Sequence, residues 1–292
     1  MKYSRLAMPS LLALLLLGLA GCANTAGPVH IPLKGKAEPL PRYDHIVVVV
    51  EENHSYRQIF GGGGDMPSFA SLAQQGAVFT DSHGVTHPSQ PNYLALFAGS
   101  TFGVTSDACP QNLSGANLAS ALSAHTLTFT GYAEDLPRQG YTGCFANGEA
   151  YARKHNPWVN FASVPAADNQ PFSAFPSDFS QLPAVAFVVP NQQDDMHSGS
   201  VAAADDWLRQ NIAPYAQWAA THNSLLIVTW DEDDDTDANH IPTVFVGAHV
   251  HPGQYAEAIN HYDVLRTIEA LEGVSFSGQA ASASTISDVW QP

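Results

Sequence analysis

Basic residues are scarce in this chain. Of 292 residues, Lys and Arg supply 11 against 27 Asp and Glu, a formal charge of -16. Nucleic-acid binding draws on a basic surface, so that class is disfavoured, and no polybasic stretch is present to dock on an anionic membrane. Charged residues of both signs make up only 13%, against 45% hydrophobic, which is too apolar for a disordered chain and enough for a sizeable core. Cysteine is nearly missing too: there are three, with no CxxC and no zinc-site spacing. No GxSxG elbow occurs, which disfavours a serine esterase of the α/β-hydrolase type, and no GxxxxGK[ST] occurs, which excludes a P-loop. No internal repeat or long low-complexity run is visible.

The one long apolar run sits at the N-terminus. Lys2 and Arg5 precede LLALLLLGL at 11–19, which ends in Leu19-Ala20-Gly21-Cys22. That run is too short for a stop-transfer helix and reads as a secretory h-region, residues 1–21 being a signal peptide. The Cys22 context resembles the lipobox of bacterial lipoproteins, so Cys22 is expected to carry lipid, and Ala23 after it suits outer-membrane sorting. The alternative is an ordinary secretory signal with a chance cysteine. In both readings the chain is exported; with lipid on Cys22 it is anchored in the cell envelope, at the outer membrane or facing the periplasm. Residues 22–42, rich in Pro, Ala and Gly, read as a tether, and 43–292 as the folded domain. Cys109 and Cys144 then form an even pair in an oxidising compartment, where a disulfide is expected and two buried thiols are the alternative.

Five apolar runs read as strands: 46–50, 127–130, 185–189, 225–229 and 243–246. Being apolar on both faces, they suit a sheet covered by helices on both sides. Residues 200–221 carry an apolar helical stripe (Val201, Ala204, Leu208, Ile212, Tyr215, Ala219), and 261–272 a second helix stopped by Gly273. The expected fold is α/β, a three-layer sandwich around a mostly parallel sheet. The stretch 101–183, full of Pro, Gly and Asn, reads as insertions and a pocket wall.

Open α/β sheets bind ligands beyond the carboxyl ends of their strands. There the sequence places Glu51-Glu52-Asn53-His54 after the first run, Asn191 with Asp194-Asp195-Met196-His197 after the third, and Asp231 to Asp235 after the fourth. Three acidic strand ends on one edge point to a metal-dependent site. The loop 233–244 is not an EF-hand, since Ala238 and Val244 stand where Gly and Glu are required; a solvated acidic loop is the plain alternative for Asp233 to Asp237 and is favoured for Asp234, Asp235 and Asp237. Thr86-His87-Pro88-Ser89-Gln90-Pro91-Asn92-Tyr93 puts Ser89 at or just before a helix N-terminus, a place that suits a phosphate under attack and equally suits an N-cap serine.

These segments resemble the bacterial phosphoesterase family that contains acid phosphatases and, more distantly, phospholipases C, within the alkaline phosphatase superfamily. The matching stretches are HIVVVVEENHSYRQIFG at 45–61, THPSQPNYLALFAGST at 86–101, GYAEDLP at 131–137, YARKHNPWVNF at 151–161, 189–208, 228–247 and 259–273, in family order. The resemblance implies an alkaline phosphatase-like fold. It implies Ser89 as nucleophile, Glu52, Asn53, Asp231 and Glu232 as metal ligands together with Ser89, and Asn53 also as a phosphate contact. It places Asp195 and His197 where the superfamily holds a second metal, and His240 near a further ligand position. Glu232 stands where the wider superfamily commonly has His, which suits an altered site with one divalent ion rather than two. A metal would activate the Ser89 hydroxyl and offset phosphoryl charge, and His87, His197 or His240 would protonate the leaving oxygen. Lys154 and His155 either touch phosphate or form an exposed basic turn. His261 is a core or capping residue.

Three functions follow. The first is an exported, metal-dependent phosphoric monoester hydrolase working through a phosphoserine, with phosphoinositides among its possible substrates. The second is a phospholipase C-like phosphodiesterase on the same scaffold. The third is a surface lipoprotein without catalysis, disfavoured because Ser89, Glu52, Asn53, Asp231 and Glu232 are all present.

Overall fold

The computed structural model describes residues 40–62 and 66–291; the expected signal peptide, Cys22 and nearly all of the expected tether lie outside them. Eight strands form the central sheet: His45–Glu51 (β1), Ala77–Phe79 (β2), Phe129–Ala133 (β3), Asn169–Pro171 (β4), Val185–Val189 (β5), Ser224–Trp230 (β6), Thr243–Gly247 (β7) and Gly253–Tyr255 (β8). Their spatial order is β8–β2–β7–β6–β1–β5–β3–β4. All pair in parallel except β7, which runs antiparallel to both β6 and β2. The mostly parallel α/β sandwich is therefore present. The second run shifts two residues, from 127–130 to Phe129–Ala133, because β3 takes its register from Val185–Val189 alongside it.

Seven α-helices accompany the sheet among the described residues, the first being Tyr56–Phe60 (α1) and the fourth Leu118–Ala124 (α4), and alternation along β1 builds the two layers. Ile46, Val48 and Val50 face one core with Tyr93, Leu94 and Phe97 of helix Ser89–Ala98 (α3) and Val264, Leu265 and Ile268 of helix His261–Glu272 (α7). Val47 and Val49 face the other, with Phe69 and Leu72 of helix Pro67–Ala73 (α2), Trp207 and Leu208 of helix Val201–Asn211 (α5), and Tyr215 and Ala219 of helix Ala213–Ala219 (α6). Burying apolar area on both faces at roughly 25 cal/mol per Å² is the main stabilising term. The single helix expected over 200–221 is two, because Pro214 sits in the first turn of α6 and has no N–H to continue the first helix. The helix at 261–272 ends as expected, on Gly273 in the left-handed region at φ 66°. Gly131 is required for close approach instead. A Cβ there would lie 2.1 Å from the Trp158 ring, so only glycine lets that indole close over β3.

Cys109 and Cys144 form a disulfide. It ties together the irregular stretch between α3 and β5. Buried Arg153 cross-links the same stretch by donating to the carbonyls of Gln111, Thr142 and Val159 and to Asn160 Oδ1. Among the described residues, no helix is long and apolar enough to cross a membrane.

Candidate active site

The site forms where β1, β5 and β6 end. Glu52 follows β1 on the face opposite Glu51 and is fully buried. Its backbone N–H donates to Asp195 O at 3.0 Å, which joins the first and third acidic segments. Its Oε1 accepts from Tyr93 Oη at 2.5 Å and lies 3.1 Å from His155 Nε2.

Ser89 is the first residue of α3, and the capping position belongs to Pro88, which makes no side-chain cap. The capping reading therefore fails. The Ser89 hydroxyl lies 3.0 Å from Glu232 Oε1 and 3.2 Å from Glu52 Oε2, so one proton serves two carboxylates at the positive end of a helix. Glu232 Oε2 accepts from His87 Nδ1 at 2.7 Å, and His87 Nε2 is 3.4 Å from both Asp233 Oδ1 and Asp235 Oδ1. Asn92, one turn into α3, accepts from the N–H groups of Val85 and Thr86 and donates to Thr86 O and Glu232. It thereby fixes the loop that presents His87 and Ser89. Asp231 is fully buried; its Oδ1 accepts from Asn53 N at 3.3 Å and its Oδ2 has no partner. Asn53 itself has φ 53°, a conformation its short amide tolerates, and that bend turns its N–H toward Asp231.

A second group adjoins this one through Glu52. One ligand atom each from Glu52, His155 and His197 lie within 4.8 Å of one another. His155 is buried, stacks on Tyr93, and has Nδ1 3.5 Å from Asp195 Oδ2. Lys154 Nζ donates to Asp107 Oδ2 at 2.8 Å and lies 3.2 Å from His197 Nε2. Asp107 in turn accepts from the N–H of Gln90 in α3. Lys154 and His155 are thus parts of the site, not an exposed turn.

The structure separates His240 from this group. His240 begins the approach to β7 as expected, but its Nε2 bonds Thr80 O at 3.0 Å, and its ring stacks on Tyr56 and His83. His261 supports the site from behind: buried, it donates to the Asp231 carbonyl at 2.6 Å. Asp233 is not solvated; it accepts from the N–H groups of Asp235, Asp237 and Asn239 and folds the loop that carries the exposed Asp235. Sequence reasoning missed Asn92, Tyr93 and Asp107. The first two lie inside the PSQPNY stretch, where their spacing from Ser89 on α3 was a usable signal; Asp107 had none.

Electrostatics make these carboxylates reluctant to ionise together. Burial, then the charge of Asp195, raises Glu52 well above the ordinary carboxylate range, opposed by the Tyr93 hydrogen bond and Lys154. Burial, then Glu52 and Glu232, does the same to Asp231. Burial lowers His155 and His197, with Lys154 acting the same way, so both imidazoles are held neutral and free to act as ligands. For Lys154, burial works against the charge, and the Asp107 bond with Glu52 and Asp231 outweighs it, leaving the ammonium firmly charged. Four carboxylates facing one cation, with Asp231 Oδ2 and Asp195 Oδ2 unpartnered, form an oxygen and nitrogen donor set that suits a divalent metal ion.

The fold is alkaline phosphatase-like. A superfamily protein of known structure from Vibrio parahaemolyticus superposes with TM-score 0.60 over 86% of this chain and 73% of its own, at 13% identity. The Phosphoesterase family profile matches residues 62–275, and the chain belongs to that family, whose members hydrolyse phosphoric esters. It is 52% identical over 258 residues to the phosphatidylinositol-3-phosphatase of Mycobacterium tuberculosis, covering 87% of this chain and 85% of that one. It is 31% identical over 240 residues to an acid phosphatase of Aspergillus fumigatus, covering 75% of this chain and 53% of the fungal protein. The chain is accordingly an enzyme, a phosphatase of the phosphoesterase type.

Proposed function

We propose that the chain is an exported, metal-dependent phosphoric monoester hydrolase that works through a phosphoserine at Ser89. The observation that carries this reading is the Ser89 hydroxyl, buried at the start of α3 and shared between Glu52 and Glu232. A hydroxyl in that setting has two acceptors for its proton and a helix N-terminus for the incoming phosphoryl oxygens. A divalent cation held by Glu52, Asn53, Ser89, Asp231 and Glu232 would supply Lewis acidity toward the Ser89 oxygen and the phosphoryl group. Asp195, His155 and His197 offer donors for a second ion next to Glu52.

In the first half-reaction Ser89 Oγ attacks phosphorus in line. The Oγ–P bond forms, the bond from phosphorus to the leaving oxygen breaks, and the serine proton passes to Glu232 or Glu52. His87, held by Glu232 and partly open to solvent, delivers a proton to the leaving alkoxide. In the second half-reaction water attacks phosphorus and gives one proton to His87, the Oγ–P bond breaks, Ser89 takes its proton back from the carboxylate and inorganic phosphate leaves. Lys154, charged and braced by Asp107, faces the phosphoryl oxygens beside His197. Phosphoinositide monoesters are the substrates favoured by the 52% identity to a phosphatidylinositol-3-phosphatase. Export and a lipid anchor on Cys22 follow from the N-terminal pattern.

The test is turnover of p-nitrophenyl phosphate, bis-p-nitrophenyl phosphate and a short-chain phosphatidylinositol 3-phosphate by wild type and Ser89→Ala, before and after chelation and metal add-back. Metal-restored monoester turnover that Ser89→Ala abolishes at unchanged melting temperature, with phosphoserine trapped at position 89 on acid quench, supports the reading. Diester preference moves the enzyme to the phospholipase C-like class. Full activity in Ser89→Ala removes the nucleophile.

A further inference from the structure

Glu51 sits one residue before the site and on the other face of the sheet. It is fully buried, and neither carboxylate oxygen has a hydrogen-bond partner. Register shows what it faces. Val49 pairs with Val188 in β5 and Ala133 pairs with Val189, so Glu51 and Glu134 lie level with Pro190, on either side of it. Strand alternation sends both to the face of Val47, Val49 and Tyr132, beneath Trp207 of α5. Two strand spacings put their Cα atoms about 10 Å apart, a span that two glutamates reach across to share one ion.

The loop after β5 closes the gap. Asn191 N donates to Glu134 Oε2 at 3.0 Å, and its side-chain amide donates to Asp135 Oδ2 at 3.0 Å and to Asp194 Oδ2 at 3.1 Å. Asn191 Oδ1 accepts from Gln193 N and Asp194 N, so this loop is pinned over the strand ends. Glu134 and Asp194 lie near enough for their charges to act on Glu51, which has no hydrogen-bond partner among the described residues.

From this the geometry points to a second cation site, separate from the active site, in which Glu51, Glu134 and Asp194 bind a hard divalent ion of the calcium type. The donors are all oxygen, with no histidine or cysteine among them, which favours calcium or magnesium over zinc. A buried carboxylate without a partner is costly, and an ion shared by three carboxylates removes that cost. The alternative occupant of this space is protons, shared between neutralised carboxyl groups. The two make opposite predictions.

The experiment uses the purified chain with calcium as the probe, in wild type, Glu51→Gln, Glu134→Gln, Asp194→Asn and Asp231→Asn. Bound calcium is counted by equilibrium dialysis and the melting temperature is followed as calcium rises to about 10 mM, well above the weakest extracellular affinities. The inference expects one calcium with Kd of roughly 0.1–1 mM, as in extracellular sites. That ion persists in Asp231→Asn and binds at least tenfold more weakly in Glu134→Gln and Asp194→Asn. At saturation it raises the wild-type melting temperature by about 5 °C, with no rise in Glu134→Gln. Should the wild type bind no calcium while Glu51→Gln melts higher than wild type, protons hold the cluster and the inference is overturned. Calcium lost in Asp231→Asn but kept in Glu134→Gln assigns the ion to the active site and overturns it equally. Asp194→Asn and Glu134→Gln alter partly exposed side chains, so at least one folded variant remains for the comparison.

Discussion

Glu51 and Glu52 are consecutive, equally buried, and carry the same side chain, yet their surroundings differ in kind. Glu52 meets Tyr93, Ser89 and His155, groups from α3 and from the wall between α3 and β5. Glu51 feels the charges of the loop and strand-end carboxylates Asp194 and Glu134 and, among the described residues, has no hydrogen-bond partner. Strand alternation alone sends one to a nucleophile and the other to an acidic pocket. Burial therefore says little about what a carboxylate does; its partners decide that. Replacing each in turn is the sharpest way to separate the two. Glu52→Gln is expected to lower kcat/KM for a phosphate monoester on the order of a thousand-fold, since it removes a ligand and a proton acceptor of Ser89 together. Glu51→Gln is expected to act on the melting temperature and its calcium response instead. Comparable losses of turnover in both would erase the distinction.

The walls of the two pockets also differ, and the disulfide exposes it. Lys154 and His155 reach Glu52 from an irregular stretch held by Cys109–Cys144 and by Arg153, whereas the Glu51 cluster hangs on β1, β3 and the loop after β5. A crosslink spanning 35 residues is worth roughly 4 kcal/mol through restriction of the unfolded chain. The double change Cys109→Ser, Cys144→Ser should cost about that much in urea melts and raise KM for the monoester. The calcium-induced rise in melting temperature should survive it. If calcium binding falls along with KM, the two pockets share one support and the contrast fails.

These differences explain what was legible in the sequence. Glu52, Asn53, Asp231 and Glu232 directly follow apolar strands, so a period of two and a sheet-edge rule were enough to group them. Ser89 was legible as a helix start, though not as the first helical residue; that depended on Pro88 taking the capping place. His155 was ambiguous because no periodic element carries it, and its position is set by a disulfide and by arginine-to-carbonyl bonds across 42 residues of chain. His240 lay where the chain order suggested, but order along the chain does not report that Tyr56 and His83 stack on the ring. Glu51 was passed over because it is one residue from Glu52, and proximity in sequence hid the opposite orientation.

A third buried glutamate calibrates the comparison. Glu269, in α7, accepts the Ser277 N–H with both oxygens, at 2.9 and 3.1 Å. Burial pushes it up to about 7, the Ser277 and Arg266 interactions pulling the other way. A carboxyl whose folded pKa is raised holds its proton longer when folded, so its contribution is present at low pH and is lost as pH rises through about 7. Stability should therefore fall between roughly pH 4.5 and pH 7, on the order of 3 kcal/mol from this residue. Glu269→Gln should flatten that slope in melts across the range. An unchanged slope would mean that the Ser277 N–H pair alone keeps Glu269 ionised, and that a buried glutamate needs no cation after all.

The smallest expected effect tests the lysine of the active site. Lys154 is largely buried, bonded to Asp107 and 3.2 Å from His197, and Asp107 is itself tied to the start of α3. A lysine braced from one side keeps its remaining N–H bonds for an anion. Lys154→Met should raise KM for a phosphate monoester about tenfold, or roughly 1.4 kcal/mol, while kcat changes by less. Asp107→Asn should move KM in the same direction by a smaller factor, since it loosens the ammonium without removing it. The calcium response should be untouched in both variants, because Lys154 does not face the Glu51 side. If kcat instead falls as far as kcat/KM, the ammonium acts on charge that develops only during phosphoryl transfer, and Lys154 belongs with Ser89 rather than with the binding wall.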